Sequence, residues 1–314
     1  MSIVLAVTAT GGRVCGMVNW REKLLRTLLF APGNHPRKVA KVASFGADAI
    51  VLDLEDAVAA AQKDEARLAV RAAVSTYQNT VVMVRVNGYS TGRCVEDLEA
   101  IIGPAVDAVL IPKVEGPAVL EEVDERLASL EERHGLDRGA IRLLPQIETA
   151  MGVARVEDIA LEAPSRVHTL IFGLADFTVD IGVDLTADAT EILYARSRVI
   201  VAARAAQMAA PIDGPFLLDL HDDVGLIQDS RRSRQLGFQG RVAIYPPQVA
   251  PINRIFSEVS SKELAFARKV VDAFEAAEAA GSASIQVDGR FVDYPIYRRA
   301  IHKLMLNAAA EDEE

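Results

Sequence analysis

The sequence predicts an α/β fold, a TIM (β/α)8 barrel followed by a C-terminal helix-hairpin lid extension, on three observations. Short apolar runs alternate with helix-like stretches about eight times, as this barrel requires and as a doubly wound sheet rarely needs. A chain of 314 residues with 50% hydrophobic and 25% charged content can bury one full barrel core. Beyond Pro251 the pattern changes to helix, hinge and hairpin. The expected division is an N-terminal arm over residues 1–23, a catalytic barrel over 24–256 and a lid over 257–314.

Met1 to Ala9, MSIVLAVTA, has a short apolar run with no positively charged start, so it reads as an extra arm, not a signal sequence. Met17 is an alternative start, in which case the residues before it would be disordered. Leu24 to Phe30 is the first strand. The loop APGNHP feeds a helix beginning near Pro36, with Asn34 or His35 able to cap it. Arg37 and Lys41 share one face of that helix, beside an N-terminus that favours anions, so they read as a phosphate site or as an ordinary solvated face. Ala49 to Leu52 is the second strand and runs into Asp53, Glu55 and Asp56 before a helix over Ala59 to Ser75. Those acids read as helix caps or as groups orienting others.

Thr80 to Val86 is the third strand. Arg85 interrupts its apolar run, and a buried guanidinium needs a carboxylate or a bound anion, so Arg85 is a substrate arginine or a structural partner of Asp53 or Glu55. Asp107 to Pro112 is the fourth strand and ends at Lys113, read as an ion-pair partner in preference to a Schiff-base nucleophile. A helix from Gly116 to about Arg133 follows. The fifth strand, Ile141 to Ile147, delivers Glu148 at its tip, with one helix over Thr149 to Ala160. The sixth, Val167 to Phe172, delivers Asp176 through Gly173-Leu174-Ala175. In a parallel barrel these tips converge, and two hard oxygen donors with open positions suit Mg²⁺ better than zinc. The alternative is that each acid caps the helix after it. A helix over Asp188 to Met208, strands at Pro211 to Asp213 and Arg241 to Ile244, and a helix over Asp222 to Leu236 complete the units.

Lys262 to Ala280 reads as helix, Gly281 to Ser284 as a hinge, and Asp288-Gly289 as a hairpin turn. Inside this lid Asp293 sits among Val292, Tyr294 and Pro295, a setting that raises a carboxyl toward catalytic use; it also suits a helix cap. The EDEE tail reads as disordered.

The net charge of −10 and pI near 5.1 disfavour nucleic acid or an anionic membrane as a main partner. Cys15 and Cys94, the only cysteines, form no disulfide framework, which fits a reducing cytoplasm. No apolar run reaches the roughly 18 residues of a membrane span. The five histidines make no triad or metal spacing, and no Walker, G-x-S-x-G or G-x-G-x-x-G motif is present.

Taken together, LLFAPGNHPRKVAKV, AIVLDLEDAV, VVMVRVNG, IPKVE, PQIETAMGV, IFGLADFTVDIG and YARSRV resemble, in order and spacing from about Arg26 to Pro251, the citrate lyase β-subunit and malyl-CoA lyase family. FVDYPIYRRA further resembles the lid of malyl-CoA and citramalyl-CoA lyases. The resemblance implies a trimeric or hexameric TIM barrel that cleaves or forms a carbon–carbon bond in a CoA thioester. By that resemblance Glu148 and Asp176 hold Mg²⁺, with Mn²⁺ as a substitute. Arg85, Ala175 and Asp176 bind substrate, and Phe30, Asn34, Arg37 and Lys41 contact CoA. Arg85 and Asp293 are the implied catalytic residues, Asp293 reaching a neighbouring subunit's site as acid or base. The implied reaction is a retro-Claisen cleavage of a 3-hydroxyacyl-CoA, such as malyl-CoA or citramalyl-CoA, to acetyl-CoA and glyoxylate or pyruvate. Its competitors are malyl-CoA thioester hydrolysis, citryl-CoA cleavage as a lyase component, an aldolase acting on free acids, and a non-catalytic subunit.

Overall fold

Eight strands close into one barrel: β1 (Thr27–Pro32), β2 (Ala49–Asp53), β3 (Val81–Arg85), β4 (Ala108–Ile111), β5 (Arg142–Ile147), β6 (Ile171–Phe172), β7 (Ile212–Asp213) and β8 (Gly240–Ala243). The computed structural model describes residues 20–22, 24–257 and 261–311; most of the expected arm and the end of the acidic tail lie outside them. The barrel order follows the chain, each strand pairing in parallel with the next and β8 returning to β1. This is the predicted TIM barrel.

Side chains alternate across each strand, so every second residue points inward. Leu28, Ala49, Val51, Val81, Met83, Ala108, Leu110, Leu144, Ile171, Ile212 and Val242 make that interior, with Trp20 packed among them. The other alternation packs outward against the helices in a second, larger cluster. Closure of β8 on β1 depends on Gly240, where a Cβ would lie 1.9 Å from the Leu25 carbonyl oxygen.

The helices of the barrel unit are α1 (Pro36–Lys41), α2 (Lys63–Val74), α3 (Arg93–Ile101), α4 (Ala118–Arg133), α5 (Ala150–Ala154), α6 (Val156–Leu161), α7 (Leu174–Ile181), α8 (Leu193–Ala205), α9 (Asp223–Leu236) and α10 (Val249–Ser257). Several expectations need correction. The single helix over Thr149 to Ala160 is two, α5 and α6, broken at Arg155, whose φ of −110° leaves the helical range. The sixth strand contracts to Ile171–Phe172, with Val167 making only an isolated bridge to Leu143. The long helix after Asp176 begins at Leu193, behind a 3₁₀ turn. Helices α3, α7 and α10 were not anticipated.

The described chain divides at Phe256 and Ser257 into two compact units. The second contains α11 (Ser261–Ala279), a hairpin of β9 (Ile285–Val287) and β10 (Arg290–Val292), and α12 (Tyr294–Glu311). Asp288 and Gly289 turn the hairpin with φ of 47° and 77°, the paired positive values of a tight two-residue turn. Ala267, Val270, Phe274, Val287, Val292 and Ala300 form this unit's own core. Among the described residues, no helix is long and apolar enough to cross a membrane.

Candidate active site

The alternation that fills the barrel also builds its mouth. In the register, Asp53 pairs with Arg85 and Arg85 with Leu110. Stepping by two from the interior residues Val51, Met83 and Leu144 reaches Asp53, Arg85 and then Gln146 and Glu148, so these side chains point into the barrel at its C-terminal end. Arg85, Gln146 and Glu148 line a cavity of about 340 Å³ together with Phe30, Ala175 and Asp176.

Both partners anticipated for Arg85 are present. Its Nε and Nη2 donate to the two oxygens of Asp53 at 2.7 and 2.6 Å, and its Nη1 lies 3.1 Å from Glu55 Oε2. Asp53 in turn accepts from the backbone N–H groups of Glu55 and Ala57, so the loop after β2 is wound around the carboxylate that fixes the arginine. The guanidinium also lies 5.2 Å from the Phe30 ring centroid, a cation–π contact. One face of Arg85 is thus held rigidly while the residue still borders the cavity.

Glu148 is 1% exposed. It does not cap the helix that follows: Thr149 does so, accepting from Gly152 N–H. Glu148 Oε1 instead accepts from the backbone N–H of Lys113 at 2.8 Å, and Oε2 accepts from Gln146 Nε2 at 3.2 Å. Burial, reinforced by the charges of Glu55 and Asp176 and opposed by Arg85, pushes its carboxyl up to about 8. Gly173 makes room for it, since a Cβ there would fall 2.2 Å from Glu148 Oε2. Asp176 occupies the first turn of α7, half-buried. Lys113 has its ammonium 2.6 Å from Glu55, 3.0 Å from Asp56 and 3.5 Å from Asp176. Burial acts to discharge it, but the hydrogen bond to Glu55 and the surrounding carboxylates outweigh burial and keep it charged. The preferred reading of Lys113 as an ion-pair partner is what the structure contains.

A divalent cation fits this donor set. Five carboxylates (Asp53, Glu55, Asp56, Glu148 and Asp176) face two side-chain cations, Arg85 and Lys113, in direct ion-pair contact with members of the cluster. A third nearby ammonium, Lys63, donates to the carbonyls of Leu54 and Glu55 and adds its charge to the cluster, which leaves five carboxylates to three cations. Among the described residues no three His, Cys, Asp or Glu side chains gather as a complete ligand set. Glu148 and Asp176 would thus supply two positions and leave the rest to water and substrate, the usual habit of Mg²⁺. The buried Gln146 Oε1, without a hydrogen-bond partner, is a free acceptor at the same place.

The remaining expected site residues are placed as follows. Asn34 donates to Gln62 Oε1 at 2.8 Å, while Arg37 and Lys41 are exposed on α1. His35 occupies the N-cap of α1, where no side-chain cap bond forms. Asp293 belongs to the second unit, where its Oδ1 accepts from Ile296 N–H at 3.3 Å at the start of α12; within that unit it is a helix cap. Sequence reasoning missed Gln146, although its inward register between Leu144 and Glu148 was available as a signal. It also missed the backbone role of Lys113, which no spacing encodes.

Beside this geometry stand four similarities, one to a family model and three to known proteins. The model of the HpcH/HpaI aldolase/citrate lyase family matches residues 26–246. Citrate lyase subunit beta of Leuconostoc mesenteroides subsp. cremoris is 36% identical over 281 residues, 89% of this chain and 92% of that protein. The mitochondrial citramalyl-CoA lyase of Homo sapiens is 30% identical over 302 residues, 92% of this chain and 87% of that one. Among solved structures, protein CitE from Mycobacterium tuberculosis in complex with magnesium, acetoacetate and coenzyme A superposes with a TM-score of 0.72 at 28% identity, covering 91% of this chain and 99% of that one.

Proposed function

This chain belongs to the HpcH/HpaI aldolase/citrate lyase family, and from that premise we propose both its substrate and the residues that act on it. It is a carbon–carbon lyase of CoA thioesters and uses Mg²⁺. Its substrate is a 3-hydroxyacyl-CoA of the malyl-CoA or citramalyl-CoA kind, cleaved to acetyl-CoA and glyoxylate or pyruvate, or formed from them. The observation that carries this reading is the excess of carboxylates around Glu148 and Asp176, set beside an arginine that borders the same cavity.

Glu148 and Asp176 would hold Mg²⁺, which would supply Lewis-acid charge to the oxo-acid half of the substrate. Cleavage breaks the bond between C2 and C3 of the acyl chain: the 3-hydroxyl gives its proton to the Asp293 carboxylate of a neighbouring copy and becomes the oxo group, while the bond's electron pair passes to the thioester, which becomes an enolate. Arg85, locked by Asp53 and Glu55, donates to that oxygen as its charge develops, with no reorganisation needed at the moment of reaction. Ala175 and Asp176, at the start of α7, border the oxo-acid. Phe30, Asn34, Arg37 and Lys41 bind CoA, the two cations taking its phosphates. Asp293, supplied by a neighbouring copy in a homotrimer or homohexamer, delivers the proton to C2, and in condensation removes it. The enzyme acts in the cytoplasm, with neither nucleic acid nor membrane as partner.

Citryl-CoA cleavage is a second reading, favoured by the 36% identity to citrate lyase subunit beta. The test is an assay of the purified chain with Mg²⁺ against malyl-CoA, citramalyl-CoA and citryl-CoA, with products identified. Acetyl-CoA plus glyoxylate or pyruvate is the expected result; oxaloacetate marks the second reading, and free malate with CoA would replace lyase by thioester hydrolysis. Asp293→Asn is expected to lower the rate at least about 100-fold, the lower range for a positioned acid or base. An unchanged rate in a folded variant would remove Asp293 from the reaction.

A further inference from the structure

Lys113, two residues beyond β4, has φ of 53°, in the left-handed region where a side-chain-bearing residue is uncommon. The conformation has an evident use: it aims the backbone N–H at Glu148 Oε1, 2.8 Å away. Any residue with a backbone N–H could make that contact, so it does not account for a lysine. The ammonium does, lying 2.6 Å from Glu55, 3.0 Å from Asp56 and 3.5 Å from Asp176 Oδ1. Two atoms of one residue thus hold the two carboxylates assigned to the ion. The contact to Asp176 is the longest of the three, and the ammonium would keep Glu55 and Asp56 if it were given up.

We propose that Lys113 is a positioning residue whose ammonium is a resident counter-charge, competing with the divalent cation for Asp176 and holding that cation in an exchangeable, weakened state. This rests on the assignment of Glu148 and Asp176 as metal ligands. A unit positive charge within a few ångströms of a dication repels it, while in the metal-free protein the same charge relieves the mutual repulsion of three carboxylates. Removing it therefore tightens the ion and loosens the metal-free fold. A purely structural lysine would do only the second.

The test is calorimetric titration of the full chain with MgCl₂ at pH 8.5, beside melting temperatures without metal. Lys113→Met is expected to tighten Mg²⁺ by about tenfold and to lower the metal-free melting temperature. Lys113→Arg, which restores the charge, should return both values toward wild type. Lys113→Gln provides the same neutralisation in a polar side chain should the methionine variant not fold, and is expected to tighten the ion equally. Unchanged or weaker Mg²⁺ binding in a folded neutral variant overturns the role of Lys113 while leaving the metal ligands standing. Absence of Mg²⁺ binding in the wild type overturns the ligand assignment and this proposal with it.

Discussion

Two clusters of buried arginine and carboxylate sit in the same barrel unit, and they differ in their charge balance. One lies between β7, β8, α8 and α9: Arg196 contacts Asp213 at 2.9 Å and Asp229 at 3.0 Å, and Arg241 contacts Asp229 at 2.9 Å. Three guanidinium groups, counting the half-buried Arg232 at 3.9 Å from Asp229, meet two carboxylates, and Arg241 is closed off further by Ser230 and the Gly214 carbonyl. The other is the mouth cluster, where five carboxylates meet Arg85 and Lys113. The first cluster, with no surplus of carboxylate, fastens helices to strands; the second, with more carboxylates than cations, has room for positive charge that the chain does not itself supply. A buried carboxylate is thus a poor indicator of function until its counter-charges are counted.

The largest effect expected from breaking this contrast is on stability. Asp229→Asn removes the carboxylate that the buried Arg241 contacts and leaves Arg196 with Asp213 alone, and should cost about 3–5 kcal/mol, read from urea denaturation, while the Mg²⁺ affinity of the folded variant stays near wild type. A variant that kept its stability but lost the ion would merge the two clusters into one functional unit.

A smaller effect sharpens the contrast through pH. Because burial raises the Glu148 carboxyl to about 8, the metal-free native state keeps a proton that the unfolded chain has already released. Metal-free stability should therefore fall as pH rises from the ordinary carboxylate range to about 8, then level off. Mg²⁺ must displace that proton, so its affinity should rise by up to about tenfold per pH unit below 8 and flatten above, one proton being exchanged. For Asp229 burial acts upward, but the charges of Arg241 and Arg196 outweigh it and hold the carboxyl far below its usual range. It should contribute nothing over the same interval. Calorimetric titrations at pH 6, 7, 8 and 9 separate the two cases.

The barrel was legible because most of its strands are short apolar runs and the interior follows from alternation. Arg85, Glu148 and Asp176 stood out as charges interrupting or ending those runs. Helix α3 was missed although Cys94, Leu98 and Ile101 have helical spacing, because the buried Asp97 breaks the apolar face; it is held by Arg67 and by Asn87, partners distant in sequence. Helix α7 was hidden by its length of eight residues and by starting two residues after β6. The break at Arg155 lies inside a run whose apolar spacing continues across it. The charge count at the mouth was out of reach, since it depends on loops after β2, β4, β5 and β6 meeting in three dimensions, and so was the clamp from the Lys113 backbone.

The most direct test of the mouth cluster is Mg²⁺ titration of Glu148→Gln and Asp176→Asn beside the wild type, with turnover measured after exhaustive chelation. Binding by the wild type, a loss of affinity of at least about 100-fold in each variant, as for the loss of one of only two protein ligands, and no turnover without metal are the predicted results. Undiminished Mg²⁺ binding in both variants, or full turnover by the chelated enzyme, would contradict the account.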